Sequence, residues 1–478
     1  MLNLKEFLIP YNPWLANATE PFAKLPSFHR PLFYTLLDDL EKIPQMLSVT
    51  GPRRIGKSTL LFQLIEALLK NGVAADRLIY YSFDDPALIR RNVHGGDALD
   101  QLMRTSAQGR PPMRTYLFLD EIQRLERWEL YLKKYYDQKF PVRVVISGSA
   151  SSPIFKKSRE SLLGRVKDYH LLPFSFREFL LYRLQEEPSF AQEVERLYER
   201  GQTAQGILTG DPHVGVTRVQ LALPSDALRQ RIHSALAQYF LEGGFPEVWT
   251  LPDWGKKQEY LFDNQVKKVI YEDLLLAAEF RKPELLKRFY VSLLERPGQE
   301  TSVQAMASET GTGALQIEKY LPLLEMTDLV YRVEKFRKSP LRVRRGKMKF
   351  YLVDLALRNA VLRLTETLLQ DETMLGLYAE NLVFLALKKW RGTLQMDYYR
   401  ERDGEVDFIV HVGAKGYLPV EVKYREQIEP SDLNGVRHFT TKYAKHRTPI
   451  VVSKRWENFG KRDGVFYLPL PLFLLLFD

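Results

Sequence analysis

Between residues 45 and 150 short apolar runs alternate with amphipathic stretches. Gln45–Thr50, Leu78–Phe83, Tyr116–Leu119 and Val142–Ile146 have the length and composition of buried parallel strands. Directly after the first, a helical period from Ser58 to Leu69 predicts a helix. Strands alternating with helices imply an α/β sheet whose ligand-binding loops lie at the strand ends. From about Phe174 to Leu276 the pattern is mostly helical, interrupted by a polar stretch, Glu186–Pro224, that reads as an insertion. Residues 281–350 read helix, short helix, helix and two strands. After Thr365 a helix over Leu375–Trp390 precedes a strand-like region, Met396–Tyr424, so a second α/β domain closes the chain. These shifts predict four segments, 1–180, 181–280, 281–355 and 356–478, with no internal repeat.

The 478 residues are enough for three or four domains, and 45% hydrophobic content lets each bury a core. Without cysteine the chain has no disulfide framework, thiolate metal site or cysteine nucleophile. Its eight histidines show no zinc-ligand spacing. The N-terminus lacks the pattern of a secretory signal, and the apolar stretch Val465–Phe477 is broken by Pro469 and Pro471 and too short to span a bilayer. The expectation is a cytoplasmic protein with no membrane partner. A net charge of +10 suits a polyanionic partner, and equally a solvated surface.

The sharpest chemistry lies at Gly51-Pro52-Arg53-Arg54-Ile55-Gly56-Lys57-Ser58, followed by Thr59, between a predicted strand and a predicted helix. This is GxxxxGK[ST] in the context it needs: glycines let the backbone wrap a phosphate, and amides at a helix N-terminus converge on it. Lys57 would neutralise the β and γ phosphates of ATP, and the Ser58 hydroxyl would ligate Mg²⁺. The apolar run Tyr116–Leu119 delivers Asp120 and Glu121 at its end, one to hold Mg²⁺ through water and one as general base. That pair points to hydrolysis beyond binding. A further strand candidate lies between the two motifs, as in the P-loop ATPases that carry their catalytic glutamate beside the Mg²⁺ aspartate. Ser149, in Ile146-Ser147-Gly148-Ser149-Ala150-Ser151, is the candidate for bonding the γ-phosphate or the lytic water, against the alternative of a turn serine. Arg165, in Leu162-Leu163-Gly164-Arg165, is the candidate to stabilise transition-state charge in its own chain or a neighbour's, against the alternative of a surface arginine.

Together with Leu172-Pro173-Phe174-Ser175-Phe176-Arg177-Glu178-Phe179, these motifs resemble the prokaryotic AAA-type ATPase family. Softer matches are Leu241-Glu242-Gly243-Gly244-Phe245-Pro246, Ile270-Tyr271-Glu272-Asp273 and Phe350-Tyr351-Leu352-Val353-Asp354. The resemblance implies an AAA-type P-loop ATPase core over 1–180, a helical lid or linker over 181–280, a winged helix over 281–355 and a restriction-endonuclease-like domain over 356–478. A homo-oligomer, possible as a ring, is implied in the same way.

In the middle, Leu285–Leu294, Val303–Glu309 and Ala314–Met326 space like the three helices of a winged helix, with Leu329–Val333 starting the wing. Nine basic residues fall between Arg332 and Lys349 against one acidic residue, Glu334. Arg337, Lys338, Arg342, Arg344 and Arg345 are the candidate DNA contacts, of the salt-sensitive kind that reads backbone rather than sequence. A protein interface and a solvated loop are the competing readings.

Near the C-terminus Asp403-Gly404 signals a hairpin, followed by strands carrying Asp407 and then Glu421 and Lys423. Period-two alternation puts Glu421 and Lys423 on one face, and an adjacent strand brings Asp407 beside them. Two carboxylates on Mg²⁺ with a lysine to activate water suit phosphodiester hydrolysis, and Glu380 would complete the shell. The set resembles the PD-(D/E)xK nuclease pattern, with Val406 where the leading proline belongs. The functional expectation is an ATP-hydrolysing protein acting on branched, forked or broken DNA, with a Mg²⁺-dependent endonuclease activity in prospect. The alternative is a nucleotide-controlled switch that binds a protein partner and cuts nothing.

Overall fold

The computed structural model describes residues 8–16, 22, 25–84, 95–107, 114–149, 162–203, 223–273, 283–337, 346–390, 395–402, 404–412, 416–443 and 445–477. Lys338, Arg342, Arg344, Arg345, Ala150, Ser151, Asp403 and the 204–222 part of the polar insertion lie outside the described residues. Backbone contacts divide the chain into two units: residues 1–172 with 271–280 and 326–328, and the remainder.

The first unit is built on five parallel strands, β1 (Met46–Gly51), β2 (Leu78–Ser82), β3 (Thr115–Asp120), β4 (Val142–Ser149) and β5 (Val166–His170), in the order β2-β3-β4-β1-β5. All six residues of β1 and of β3 are buried, which explains their continuous apolar reading. The strand between the two motif strands in space is β4, paired Leu47↔Val145 on one side and Leu117↔Val144 on the other. Leu78–Ser82 stands at the edge. There Asn12 bonds both ways to Tyr80, donating to its carbonyl at 2.9 Å and accepting from its amide at 2.7 Å, so the edge strand is covered. Helix α1 (Pro31–Lys42) precedes β1, and α2 (Lys57–Lys70) follows it with Leu60, Leu61, Leu64, Ile65 and Leu68 buried at helical spacing. Each such side chain contributes about 2 kcal/mol by leaving water. α3 (Gly95–Ala107) and α4 (Trp128–Asp137) complete the unit, with Leu99, Leu102, Trp128 and Leu132 in one apolar cluster with β3 and β4.

The second unit opens with α5 (Phe176–Arg183), started by a capping box in which Ser175 Oγ accepts from the Glu178 amide and the Glu178 carboxylate from the Ser175 amide. α6 (Pro188–Thr203), α7 (Asp226–Glu242) and α8 (Trp254–Leu261) follow, then α9 (Pro283–Glu295), α10 (Val303–Thr310) and α11 (Ala314–Met326), the trio whose spacing the sequence carries. The strands after them are β6 (Val330–Lys335) and β7 (Met348–Leu352). Helices α12 (Leu355–Leu362) and α13 (Glu372–Trp390) lead to β8 (Met396–Glu401), β9 (Gly404–His411) and β10 (Tyr417–Lys423). Last come α14 (Asn434–Lys442), β11 (Ile450–Ser453), β12 (Gly460–Arg462), β13 (Val465–Pro469) and α15 (Leu470–Leu476). All eight strands form one mixed sheet, β12-β13-β11-β10-β9-β8-β6-β7. The strands expected as a wing are therefore continuous with the C-terminal sheet, through the parallel pairs Glu334↔Asp397 and Lys335↔Tyr398. The apolar stretch near the C-terminus is a strand and a helix with every residue from Leu470 to Leu476 buried. Among the described residues no helix is long and apolar enough to cross a membrane.

Candidate nucleotide site and an acidic cluster

In the first unit the loop from β1 to α2 takes its shape from two glycines. A Cβ on Gly51 (φ 152°) would stand 2.0 Å from the Leu171 carbonyl oxygen, and Gly56 (φ 92°) caps α2 in the left-handed region. Lys57 is buried and donates to the carbonyls of Gly51 (3.1 Å) and Pro52 (2.7 Å), so its ammonium lies across the loop that Pro52, Arg53, Arg54 and Ile55 complete. Ser58 Oγ donates to Asp120 Oδ2 at 2.6 Å, which puts the two expected Mg²⁺ ligands side by side. Tyr80 donates to the same oxygen at 2.8 Å. Asp120 Oδ1 accepts from Ser147 Oγ and from the Glu121 amide, the latter at 3.0 Å. The donor set, a hydroxyl and a carboxylate, is the hard-oxygen chemistry that Mg²⁺ takes, so these residues fit the ion.

Glu121 sits in the left-handed region at φ 51°, a conformation costing roughly 1–2 kcal/mol for a non-glycine residue, and is bonded by the Gln123 amide. Burial pushes its carboxyl above the usual range; Lys57 pulls it down and Asp120 adds to the rise. A carboxylate of raised basicity is what proton abstraction from water needs. Ser149 is buried at the end of β4, paired with Gly51, and so lies beside the loop. Arg165 is elsewhere: its carbonyl accepts from Met46 at the start of β1, and its guanidinium is paired with Asp137 at 2.7 Å. The loop begins five residues further along β1, about 17 Å at the rise of a strand. Arg165 is thus at the other edge of the sheet from the phosphate site of its own chain. Sequence reasoning missed Tyr80 and Ser147, the two hydroxyls that hold Asp120 beside Ser58. Ser147 shares a face with Ser149 by alternation, which was the available signal.

In the second unit, Asp407, Glu421, Lys423 and Glu380 come together as expected. The β9–β10 ladder ends at Val420↔Phe408, and beyond it side chains replace backbone acceptors. Glu421 Oε2 accepts from the Asp407 amide at 3.2 Å, Asp407 Oδ2 from the Val422 amide at 2.9 Å, and Lys423 donates to Glu421 Oε1. Burial, then the charge of Asp407, pushes Glu421 up to about 8 and Glu380 to about 7. A lysine that the sequence reading left in the basic run, Lys349, also enters this cluster, within 3.1 Å of Glu380, 2.9 Å of Glu405 and 3.5 Å of Asp407. The expected Mg²⁺ shell of Asp407, Glu421 and Glu380 does not fit this arrangement: among the described residues no three His, Asp or Glu side chains are grouped to hold a metal ion.

The basic run is also thinner than its count suggests. Arg332 pairs with Glu325 at 2.9 Å, Lys347 with Glu300 at 2.6 Å, and Lys349 is buried in the acidic cluster, so three of the nine charges are matched within the unit. Of the candidate DNA contacts, Arg337 is partly buried after β6, and the other four lie outside the described residues.

Residues 44–180 match the family of AAA domains. Residues 233–368 and 375–473 match two domains of unknown function, DUF8612 and DUF4143. An uncharacterized protein of Methanocaldococcus jannaschii is 25% identical over 391 residues, 80% of this chain and 76% of that protein. One from Haemophilus influenzae is 23% identical over 425 residues, covering 87% and 91%. Among solved structures, the ORC1 protein of Aeropyrum pernix in complex with DNA is 14% identical over 74% of this chain and 96% of that one, with a TM-score of 0.26. AMPPCP-bound DnaA from Aquifex aeolicus is 13% identical over 65% and 93%, with a TM-score of 0.27. The domain match and the loop with its acidic pair make residues 44–180 a P-loop ATPase domain of AAA type.

Proposed function

We propose that this protein is an ATP-driven switch that engages DNA through its second unit. The observation that carries the proposal is the joined set Lys57, Ser58, Asp120 and Glu121, with Ser58 and Asp120 in direct contact at 2.6 Å. On ATP binding Lys57 exchanges the carbonyls of Gly51 and Pro52 for the β and γ phosphates, while the amides of the loop and of Lys57, Ser58 and Thr59 close on them. Ser58 directly, and Asp120 through water, would hold Mg²⁺, which when bound neutralises charge on the β and γ oxygens. Glu121 takes the proton of the attacking water, and Ser149, paired with Gly51 beside the loop, supports the reading as the side chain that bonds the γ-phosphate. The run containing Arg337, Lys338, Arg342, Arg344 and Arg345 supplies the charge for a DNA backbone. A cytoplasmic homo-oligomer suits the proposal. The internally bonded acidic cluster favours the version without cleavage.

The test is ATP turnover with no nucleic acid and with duplex, single-stranded and forked DNA. Lys57→Ala is expected to abolish turnover under every condition. DNA is expected to stimulate the wild type several-fold, an effect lost when the five candidate basic residues become alanine. Turnover indifferent to every DNA would transfer the second unit to a protein partner; turnover untouched by Lys57→Ala would remove the ATPase reading itself.

A further inference from the structure

Lys349 lies on β7, between Met348 and Phe350, with 3% of its side chain exposed. Its ammonium faces Glu405 at 2.9 Å, Glu380 at 3.1 Å and Asp407 at 3.5 Å. Those carboxylates come from β9 and α13, so one cation joins two different elements to β7.

Most of the surrounding oxygens already accept a donor. Asp407 Oδ2 accepts from the Val422 amide and Oδ1 from Lys349; Glu421 Oε2 accepts from the Asp407 amide and Oε1 from Lys423. Glu380 Oε1 takes Tyr351 OH at 2.7 Å in addition to Lys349. Backbone also closes on Glu380: a Cβ built on Gly298 would stand 2.9 Å from Oε1 and 3.3 Å from Oε2. Mg²⁺ needs oxygens at about 2.1 Å in an octahedron and keeps several of its waters. In this cluster the oxygens of Asp407 and Glu421 already accept a donor each, and the Lys349 ammonium stands among the carboxylates of Glu380, Glu405 and Asp407 where the ion would be. An ammonium satisfies the same carboxylates as a single charge with three donors.

We propose that Lys349 is the built-in cation of this cluster, standing where a nuclease would hold a divalent metal, and that the C-terminal sheet binds no Mg²⁺ there. The carboxylates and Lys423 then form a structural centre that holds the end of β9, the end of β10, α13 and β7 together. The sequence motif is kept and its metal chemistry is replaced.

The experiment is Mn²⁺ titration of the nucleotide-free, full-length protein followed by electron paramagnetic resonance, on the wild type, Asp407→Asn, Lys349→Met and the double variant. The wild type and Asp407→Asn are expected to bind Mn²⁺ identically, whatever the phosphate loop contributes to both. Lys349→Met is expected to gain one Mn²⁺ per chain, and the double variant to lose it. Wild-type Mn²⁺ that disappears in Asp407→Asn would overturn the proposal, as would a folded Lys349→Met that gains none. If Lys349→Met does not fold, the comparison of wild type with Asp407→Asn decides alone. The result is independent of ATP hydrolysis, which belongs to the other unit.

Discussion

Asp120 is held from four directions: Ser58 and Tyr80 on one oxygen, Ser147 and the Glu121 amide on the other. Buried carboxylates need such partners, and these fix the orientation of the carboxylate. Tyr80 is itself kept protonated, because burial and then the charge of Asp120 push its hydroxyl up, so it remains a donor at any working pH. Ser147 donates to Asp120, so Ser147→Ala is expected to act through the metal that Asp120 would hold. The Mg²⁺ concentration for half-maximal ATP turnover should rise about tenfold or more, with turnover at saturating Mg²⁺ falling less. An unchanged Mg²⁺ dependence would remove Ser147 from this role. None of this was legible as residue pairs: Ser147 and Tyr80 lie on strands that meet Asp120 only through sheet order, 27 and 40 positions away.

At the scale of elements the sequence was most informative where one physical pattern dominates. The three helices α9, α10 and α11 have Pro, Ser or Gly at their starts and clean apolar spacing, and they appear within two residues of the expected bounds. What periodicity does not encode is which sheet a strand joins, so β6 and β7 read as a separate wing while hydrogen bonding puts β6 beside β8 and β7 outside β6. Periodicity likewise does not pair the two softly matching segments around Gly243 and Asp354. In the structure Asp354 caps α12 through the Ala356 amide at 2.8 Å and accepts from the Gly244 amide at 2.6 Å. A Cβ on Gly243 would overlap that carboxylate, and one on Gly244 would stand 2.2 Å from the Phe174 carbonyl oxygen, which explains the paired glycines. Burial raises Asp354 to about 7 against the pull of the two amides. Since the folded value lies above the unfolded one of 3.8, the group's contribution is complete below about pH 4 and is lost as pH rises through about 7. Chemical denaturation at several pH values should therefore show wild-type stability falling, relative to Asp354→Asn, by up to about 4 kcal/mol between pH 4 and 8. A difference that stays flat over that window would mean the carboxyl is ionised throughout.

For the whole molecule, the position of Arg165 sets a condition on assembly. Parallel pairing of β5 with β1 fixes it at the sheet edge where the strands begin, whereas the phosphate loop leaves from the edge where they end. An arginine side chain reaches about 7 Å, and the strand between is more than twice that length. Arg165 therefore cannot contact its own chain's γ-phosphate, and if it stabilises transferred charge it does so in a second copy. The exposed Leu163, two residues before it, gives that edge an apolar contact for such a neighbour. Turnover per chain is then expected to rise with protein concentration, and Arg165→Ala is expected to cut it by about a thousandfold, the scale typical of such arginines. Mixing settles the geometry. Glu121→Gln lacks the base but offers its arginine; Arg165→Ala lacks the arginine but keeps its base. Two nearly inactive proteins combined should recover a substantial fraction of turnover if the arginine acts across a subunit boundary. If the mixture stays as inactive as its parts while each binds ATP normally, or if Arg165→Ala alone hydrolyses at the wild-type rate, the arginine serves only its pair with Asp137.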